Sequence, residues 1–232
     1  AEIQGAQQKF VDLDEKFELP ENLLEQAKDC SLFLITNPNA PTTNSFCKEK
    51  IRKFCAAYDG IVVIDEAYGD FADTNCLDLY REFDNVIITR TFSKSYSLAG
   101  IRVGMAFTNK TLTAGMHKVK DSYNVNALSQ TMAAAALLDV DYFNETVSKI
   151  KATRARTERE LKELNFEVIP SQTNFVFAIP PIDAEKYFTA LNDNKIIIRY
   201  FKGGRTGNYV RITIGTDEEM DKFFQVTREI LG

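Results

Sequence analysis

The sequence predicts an α/β fold: a mixed, mostly parallel sheet flanked by helices, followed by a smaller C-terminal α+β layer. Three features carry this. Short continuous apolar runs at 32–36, 61–64 and 86–89 have the length and β-branched content of buried strands. The first two are separated by a helical pattern, and strand, helix, strand in that rhythm implies a parallel pair with a right-handed crossover. From Phe166 the pattern shifts to short strands mixed with helices, which reads as a separate layer. The boundary falls at Asp139-Val140-Asp141, giving a large domain over 1–141 and a small one over 142–232.

Taken in order, Ala1 to Asp29 is a polar approach in which Pro20 and Glu21 start a helix that runs to Ala27. Leu32-Phe33-Leu34-Ile35-Thr36 reads as a central strand, ended by Asn37-Pro38-Asn39-Ala40-Pro41-Thr42-Thr43, because two prolines cannot continue a ladder. A helix over Phe46 to Tyr58 places Ile51, Phe54 and Cys55 on one face, and Asp59-Gly60 stops it. Ile61 to Ile64 is the next strand and ends in Asp65-Glu66-Ala67-Tyr68. Val86 to Thr89 is a third, running out into Thr91-Phe92-Ser93-Lys94.

Beyond it, Arg102 to Phe107 is predicted as a strand, Thr111 to Lys120 and Ala127 to Leu138 as helices, and Tyr142 to Leu164 as a long amphipathic helix. The basic run Lys149, Lys151, Arg154, Arg156, Arg159 and Lys162 is expected to form its solvated face. Strands at Glu167–Ile169, Asn174–Ala178, Ile196–Tyr200 and Tyr209–Ile214, with helices at Ala184–Asn192 and Asp217–Ile230, complete the second layer.

Composition narrows the classes. With 28 basic and 33 acidic side chains the formal charge is −5, so the chain as a whole offers no footprint for nucleic acid. No apolar run approaches the length of a membrane span. A single histidine, His117, and four cysteines without CxxC spacing give no metal site, and Cys47 and Cys55 stand about 12 Å apart on one predicted helix, too far to bridge. These features suit a reduced, cytoplasmic setting.

In parallel sheets ligands collect at the carboxyl ends of strands. Asp65, Tyr68 and Lys94 all follow predicted strands, so three chemically active side chains converge on one sheet edge. A lysine there is commonly a plain surface residue. Here Thr91 and Ser93 precede it and Arg102 follows, a set of hydroxyls and a cation that could hold a phosphate.

Asn37-Pro38-Asn39-Ala40-Pro41-Thr42, then Asp65-Glu66-Ala67-Tyr68, then Thr91-Phe92-Ser93-Lys94 with Arg102, resemble the signature series of class I/II, fold-type-I pyridoxal-phosphate (PLP) aminotransferases, in the form found in histidinol-phosphate aminotransferases. Tyr123 to Gln130, Ile196 to Phe201 and Tyr209 to Thr216 are similar to later segments of that family. The resemblance implies the fold-type-I large domain and a set of roles. Lys94 would hold PLP covalently and move a proton, Asp65 would face the ring nitrogen, and Tyr68 the ring oxygen. Thr91, Ser93 and Arg102 would hold the phosphate, Arg211 the substrate carboxylate and Arg199 the substrate phosphate.

It further implies transamination of histidinol phosphate with 2-oxoglutarate or glutamate in histidine biosynthesis, and a homodimer. An aromatic aminotransferase, a phosphothreonine decarboxylase-like enzyme, and an inactive or binding domain that keeps the fold are the alternatives. Two residues depart from the pattern: Ala40 stands where many relatives carry an asparagine, and Thr43 replaces a glycine, for which a different turn is expected. The family's N-terminal arm, glycine-containing phosphate loop and ring-stacking aromatic are not found in the chain, so the large domain is expected to be incomplete at its N-terminus.

Overall fold

The computed structural model describes residues 2–232. Helix α1 (Leu23–Ala27) leads into β1 (Leu32–Thr36), α2 (Lys48–Ala57), β2 (Ile61–Asp65), α3 (Leu79–Glu82), β3 (Val86–Thr91) and β4 (Gly104–Phe107). These strands form one sheet in the order β1-β2-β3-β4, with the first three parallel and β4 antiparallel. The mixed, mostly parallel sheet is therefore present as expected.

Period-two alternation explains which side is packed. Val62, Ile64, Val86 and Ile88 are fully buried against Ile51, Phe54 and Cys55 of α2 and Leu79 of α3. Each such side chain contributes about 2 kcal/mol by leaving water. The opposite face is open, leaving Leu32 and Leu34 at 50% and 69% exposure. Among the described residues β1 is the edge strand of this sheet, where its sequence suggests a central one. A continuous apolar run supplies apolar side chains to both faces, and here helices cover one.

Helices α4 (Lys110–Val119) and α5 (Ala127–Leu138) each start on an asparagine cap, Asn109 accepting from the Leu112 amide and Asn126 from the Ser129 amide. Asp139 separates α5 from the 24-residue α6 (Val140–Glu163). The second sheet, β5 (Glu167–Ile169), β6 (Phe175–Ile179), β7 (Arg199–Tyr200) and β8 (Val210–Thr213), is antiparallel in the order β5-β6-β8-β7. Helices α7 (Ala184–Asp193) and α8 (Asp217–Leu231) pack on it through Tyr187, Leu191, Phe223 and Phe224. Thr216 and Glu219 form a reciprocal capping box at the start of α8.

Helix α6 touches both layers. Val147 and Phe143 pack with Tyr68 and Phe71, while Leu161 lies in the core of the second sheet. Its basic run is not uniformly solvated. Arg154 is buried, because Val147, Ile150, Arg154, Thr157 and Leu161 recur at three- and four-residue spacing and share the inward face. Two further elements differ from the sequence reading. Strand β4 begins at Gly104, since Arg102 caps a short 3-10 helix (Ala99–Ile101) in the left-handed region. The strand expected from Ile196 contracts to Arg199–Tyr200.

Among the described residues no helix is long and apolar enough to cross a membrane, and no group of three or more His, Cys, Asp or Glu side chains could hold a metal ion.

Candidate active site

The carboxyl ends of β1, β2 and β3 are level with one another: the Asn37 amide donates to the Asp65 carbonyl at 2.9 Å and the Glu66 amide to the Thr89 carbonyl at 2.8 Å. Asp65 Oδ1 accepts from the Ala67 amide at 2.9 Å, which turns the chain and fixes one carboxylate oxygen. Tyr68 then packs inward, its ring meeting the edge of Phe175 with centroids 5.1 Å apart. Lys94 Nζ lies 5.1 Å from the Tyr68 centroid, over the ring face. Glu66 and Asp70, on either side of Tyr68 in the chain, are both engaged by Arg90. Asp65, Tyr68 and Lys94 are therefore brought to one sheet edge.

Thr91 Oγ1 accepts from the Ser93 amide at 3.0 Å, closing a hydroxyl turn immediately before the lysine. The β3–β4 ladder pairs Thr91 with Gly104 and runs on as the Phe92 amide donates to the Val103 carbonyl at 3.2 Å. Arg102 thus stands at the same hairpin end as Ser93. Its guanidinium is exposed and donates through Nη1 to the Ala99 carbonyl at 2.9 Å.

Arg211 and Arg199 face each other in the β7–β8 ladder. Like charges directly opposite on neighbouring strands repel. The Arg211 guanidinium carbon is 4.9 Å from the Phe175 centroid and 5.8 Å from that of Phe201, and the Arg199 guanidinium carbon is 5.6 Å from Phe201. Arg211 Nε is buried without a hydrogen-bond partner. A buried, unpaired guanidinium nitrogen beside a second cation fits an anionic ligand.

The loop after β1 shows where the departures from the family pattern lead. Asn37 is buried, its Oδ1 accepting from the Phe46 amide at 2.8 Å and its Nδ2 lying 3.6 Å from Cys76 Sγ. Asn39 Nδ2 donates to Thr42 Oγ1 at 2.7 Å. Both amides are committed, so neither replaces the one absent at Ala40, which packs against the Tyr68 and Phe175 cluster. Thr43, where a different turn is expected, has a left-handed backbone at φ +68°, the region in which glycine is the usual residue.

Sequence reading missed Phe175 and Phe201, since aromatics in strands look like ordinary core. It also missed the Glu66, Arg90 and Asp70 ion network. A charged residue inside the apolar run of β3 was the available signal for Arg90.

A family model for the class I and II aminotransferases matches residues 3–226. The chain belongs to this aminotransferase family. Its aminotransferase relatives include the histidinol-phosphate aminotransferase of Citrifermentans bemidjiense, 46% identical over 231 residues, which cover 99% of this chain and 65% of that protein. The counterpart from Syntrophotalea carbinolica is 44% identical over 99% of this chain and 66% of its own length. The chain thus spans about two thirds of these relatives. Among solved aminotransferases, the histidinol-phosphate aminotransferase of Sinorhizobium meliloti in complex with pyridoxal-5'-phosphate superimposes with a TM-score of 0.84 at 28% identity, covering 96% of this chain and 65% of that one. That of Clostridium acetobutylicum superimposes with a TM-score of 0.86 at 27% identity, over 94% of this chain and 70% of that one.

Proposed function

We propose that this chain carries the lysine-bearing and arginine-bearing parts of a PLP-dependent aminotransferase that moves an amino group between histidinol phosphate and 2-oxoglutarate in histidine biosynthesis. The observation that carries the reading is the continuous line from Lys94 over Tyr68, through Phe175, to Arg211 and Arg199, which joins an amine on one layer to two guanidinium groups on the other.

PLP, when bound, supplies an aldehyde that condenses with amines and a ring that accepts electrons from the substrate carbon. The residues present fit such a group. Lys94 offers an amine over a ring face, free of the carboxylates that Arg90 occupies. Asp65 retains a carboxylate oxygen not used by its turn, suited to a protonated ring nitrogen. Tyr68 would donate to the ring oxygen, alone, because Asn37 and Asn39 are committed elsewhere. Thr91, Ser93 and Arg102 would hold the cofactor phosphate at the hairpin end. Arg211, with its unpaired buried Nε, would take the substrate α-carboxylate, and exposed Arg199 the substrate phosphate. Lys94, released when substrate takes its place, would carry the proton at the substrate carbon. A homodimer in the cytoplasm is the setting we assign to the whole protein.

The test is covalent capture. The chain is incubated with PLP, reduced with borohydride and analysed by peptide mass, beside Lys94→Ala. A cofactor mass increment confined to the Lys94 peptide supports the reading. Capture elsewhere, or equal capture by the alanine variant, defeats it. Turnover of histidinol phosphate against phenylalanine and phosphothreonine by the full-length protein then decides substrate, and equal rates on all three would defeat the narrow assignment.

A further inference from the structure

Three residues outside those roles, Arg90, Asp70 and Ser95, close a circuit around the candidate lysine. Arg90 lies on β3, ahead of the lysine loop. Its Nη2 and Nε donate to Glu66 Oε2 at 2.7 and 3.1 Å, and its Nη1 donates to Asp70 Oδ1 at 2.9 Å. Ser95, the residue after Lys94, donates its hydroxyl to Asp70 Oδ2 at 2.5 Å. Glu66 is 1% exposed and Ser95 3%. Arg90 and Asp70 are mostly enclosed, so water competes weakly for these bonds.

The topology gives the circuit its meaning. The base of the lysine loop is closed by the Leu98 amide on the Phe92 carbonyl at 2.9 Å, and a turn inside it by the Ser97 amide on the Lys94 carbonyl at 3.0 Å. Both bonds are local. Among the described residues, the Ser95 hydroxyl makes the one hydrogen bond from residues 94–96 to the sheet layer outside their own loop, beside the Lys94 contact with the Tyr68 ring. Its acceptor, Asp70, stands two positions after Tyr68, and Arg90 holds that carboxylate from the strand that feeds the loop. One carboxylate thereby links the turn bearing Tyr68 to the loop bearing Lys94.

We infer that the Arg90, Asp70 and Ser95 circuit is a positioning device that sets where Lys94 presents its amine over Tyr68, an inference that rests on Lys94 being the covalent anchor for PLP. A lysine has a long flexible stem, so its placement depends on the main chain that carries it. A misplacement of roughly 1 Å at a reacting atom lowers a rate by about 10²-fold. Arg90, Asp70 and Ser95 are positioning residues and touch no reacting atom.

The test uses the full chain with Ser95→Ala and Ser95→Thr. In Ser95→Ala, exchange of the Ser97 and Leu98 amides is expected to speed up about tenfold while that of Val62 and Ile64 stays at the parent rate. Borohydride-fixed PLP at Lys94 is expected to accumulate about 10- to 100-fold more slowly, and Ser95→Thr, which keeps a hydroxyl, to restore both. Unchanged exchange in Ser95→Ala overturns the inference. Loosened amides with the parent's fixation rate also overturn it, since the circuit would then support the loop alone. A parent chain that fixes no PLP at Lys94 defeats the cofactor reading and this inference together. Normal fixation in the parent with no change in Ser95→Ala defeats the inference only.

Discussion

Thr43, on the loop after β1, donates its hydroxyl to Ser171 of the second layer at 2.5 Å from a backbone held at φ +68°. Ser171 in turn donates to the Phe175 carbonyl at 2.6 Å, Thr173 Oγ1 lies 2.8 Å from Thr43 Oγ1, and the Thr43 carbonyl accepts from the Gln172 amide at 2.9 Å. A β-branched residue with positive φ is costly. The hydroxyl relay between the layers offsets that cost.

Removing the hydroxyl and keeping the shape exposes the balance. Thr43→Val is expected to lose about 2 kcal/mol, because the buried Ser171 and Thr173 hydroxyls lose a partner. Thr43→Gly is expected to lose less, since glycine removes strain worth about 1 kcal/mol. Urea unfolding followed by far-ultraviolet circular dichroism measures both; equal losses would show that backbone strain is absent.

Arg154 is the second tie between layers, its Nη1 donating to the Phe71 carbonyl at 3.1 Å and the Thr173 carbonyl at 2.7 Å. Burial lowers its pKa from the ordinary arginine value, yet the guanidinium stays charged at neutral pH. Arg154→Leu is expected to cost about 3 kcal/mol through two orphaned carbonyls. The same unfolding measurement checks it, and a loss below about 1 kcal/mol would mean that water replaces the side chain.

Thiol reactivity separates the cysteines. Burial pushes the Cys55 thiol up to about 12 and the Cys76 thiol up to about 11. At pH 8 their thiolate fractions are then about 10⁻⁴ and 10⁻³. Cys47 is exposed and Cys30 half-buried. Ellman's reagent is expected to titrate Cys30 and Cys47 in the native chain and all four thiols in denaturant; rapid native labelling of Cys76 would contradict this burial.

Asp73 crosses to the second layer, accepting from Gln172 Nε2 at 3.0 Å and pairing with Lys151 Nζ at 3.2 Å. The Gln172 hydrogen bond, then Lys151, hold its carboxyl below the ordinary 3.8. A depressed folded pKa contributes stability above the unfolded value that is lost as pH falls through the folded one. Asp73→Asn is therefore expected to lower the unfolding midpoint at pH 6, with the difference from the parent narrowing below about pH 4. The pair is exposed, so the effect is small and shrinks in salt.

On the proposed reaction, Arg211→Gln is expected to raise KM for glutamate by about 10- to 100-fold. Capture of PLP at Lys94 would persist, because Arg211 lies on the other layer and acts on substrate. Loss of capture in this variant would move Arg211 from substrate binding to cofactor support.

Much of this site was legible in the chain. Asp65, Tyr68 and Lys94 each follow an apolar run of strand length, and a parallel sheet puts those ends on one edge. The two arginines were visible as cations in short strands, though nothing local said that Phe201 lies beside both. Arg154 reads as solvated in the sequence because a run of basic residues masks its place in the inward spacing of α6, where the fold buries it.

What the sequence by itself determined is the local order: strand, helix and strand, chemically active residues at strand ends, and the motif series that marks the family. Tertiary structure alone decided which face of β1 stays open, that Asn37 and Asn39 are committed away from the gap at Ala40, and that Phe175 bridges Tyr68 to Arg211. The reason is physical. Periodicity along a chain reports the faces of one element at a time, whereas contacts between Tyr68 and Phe175, or Thr43 and Ser171, exist only where the two layers pack together.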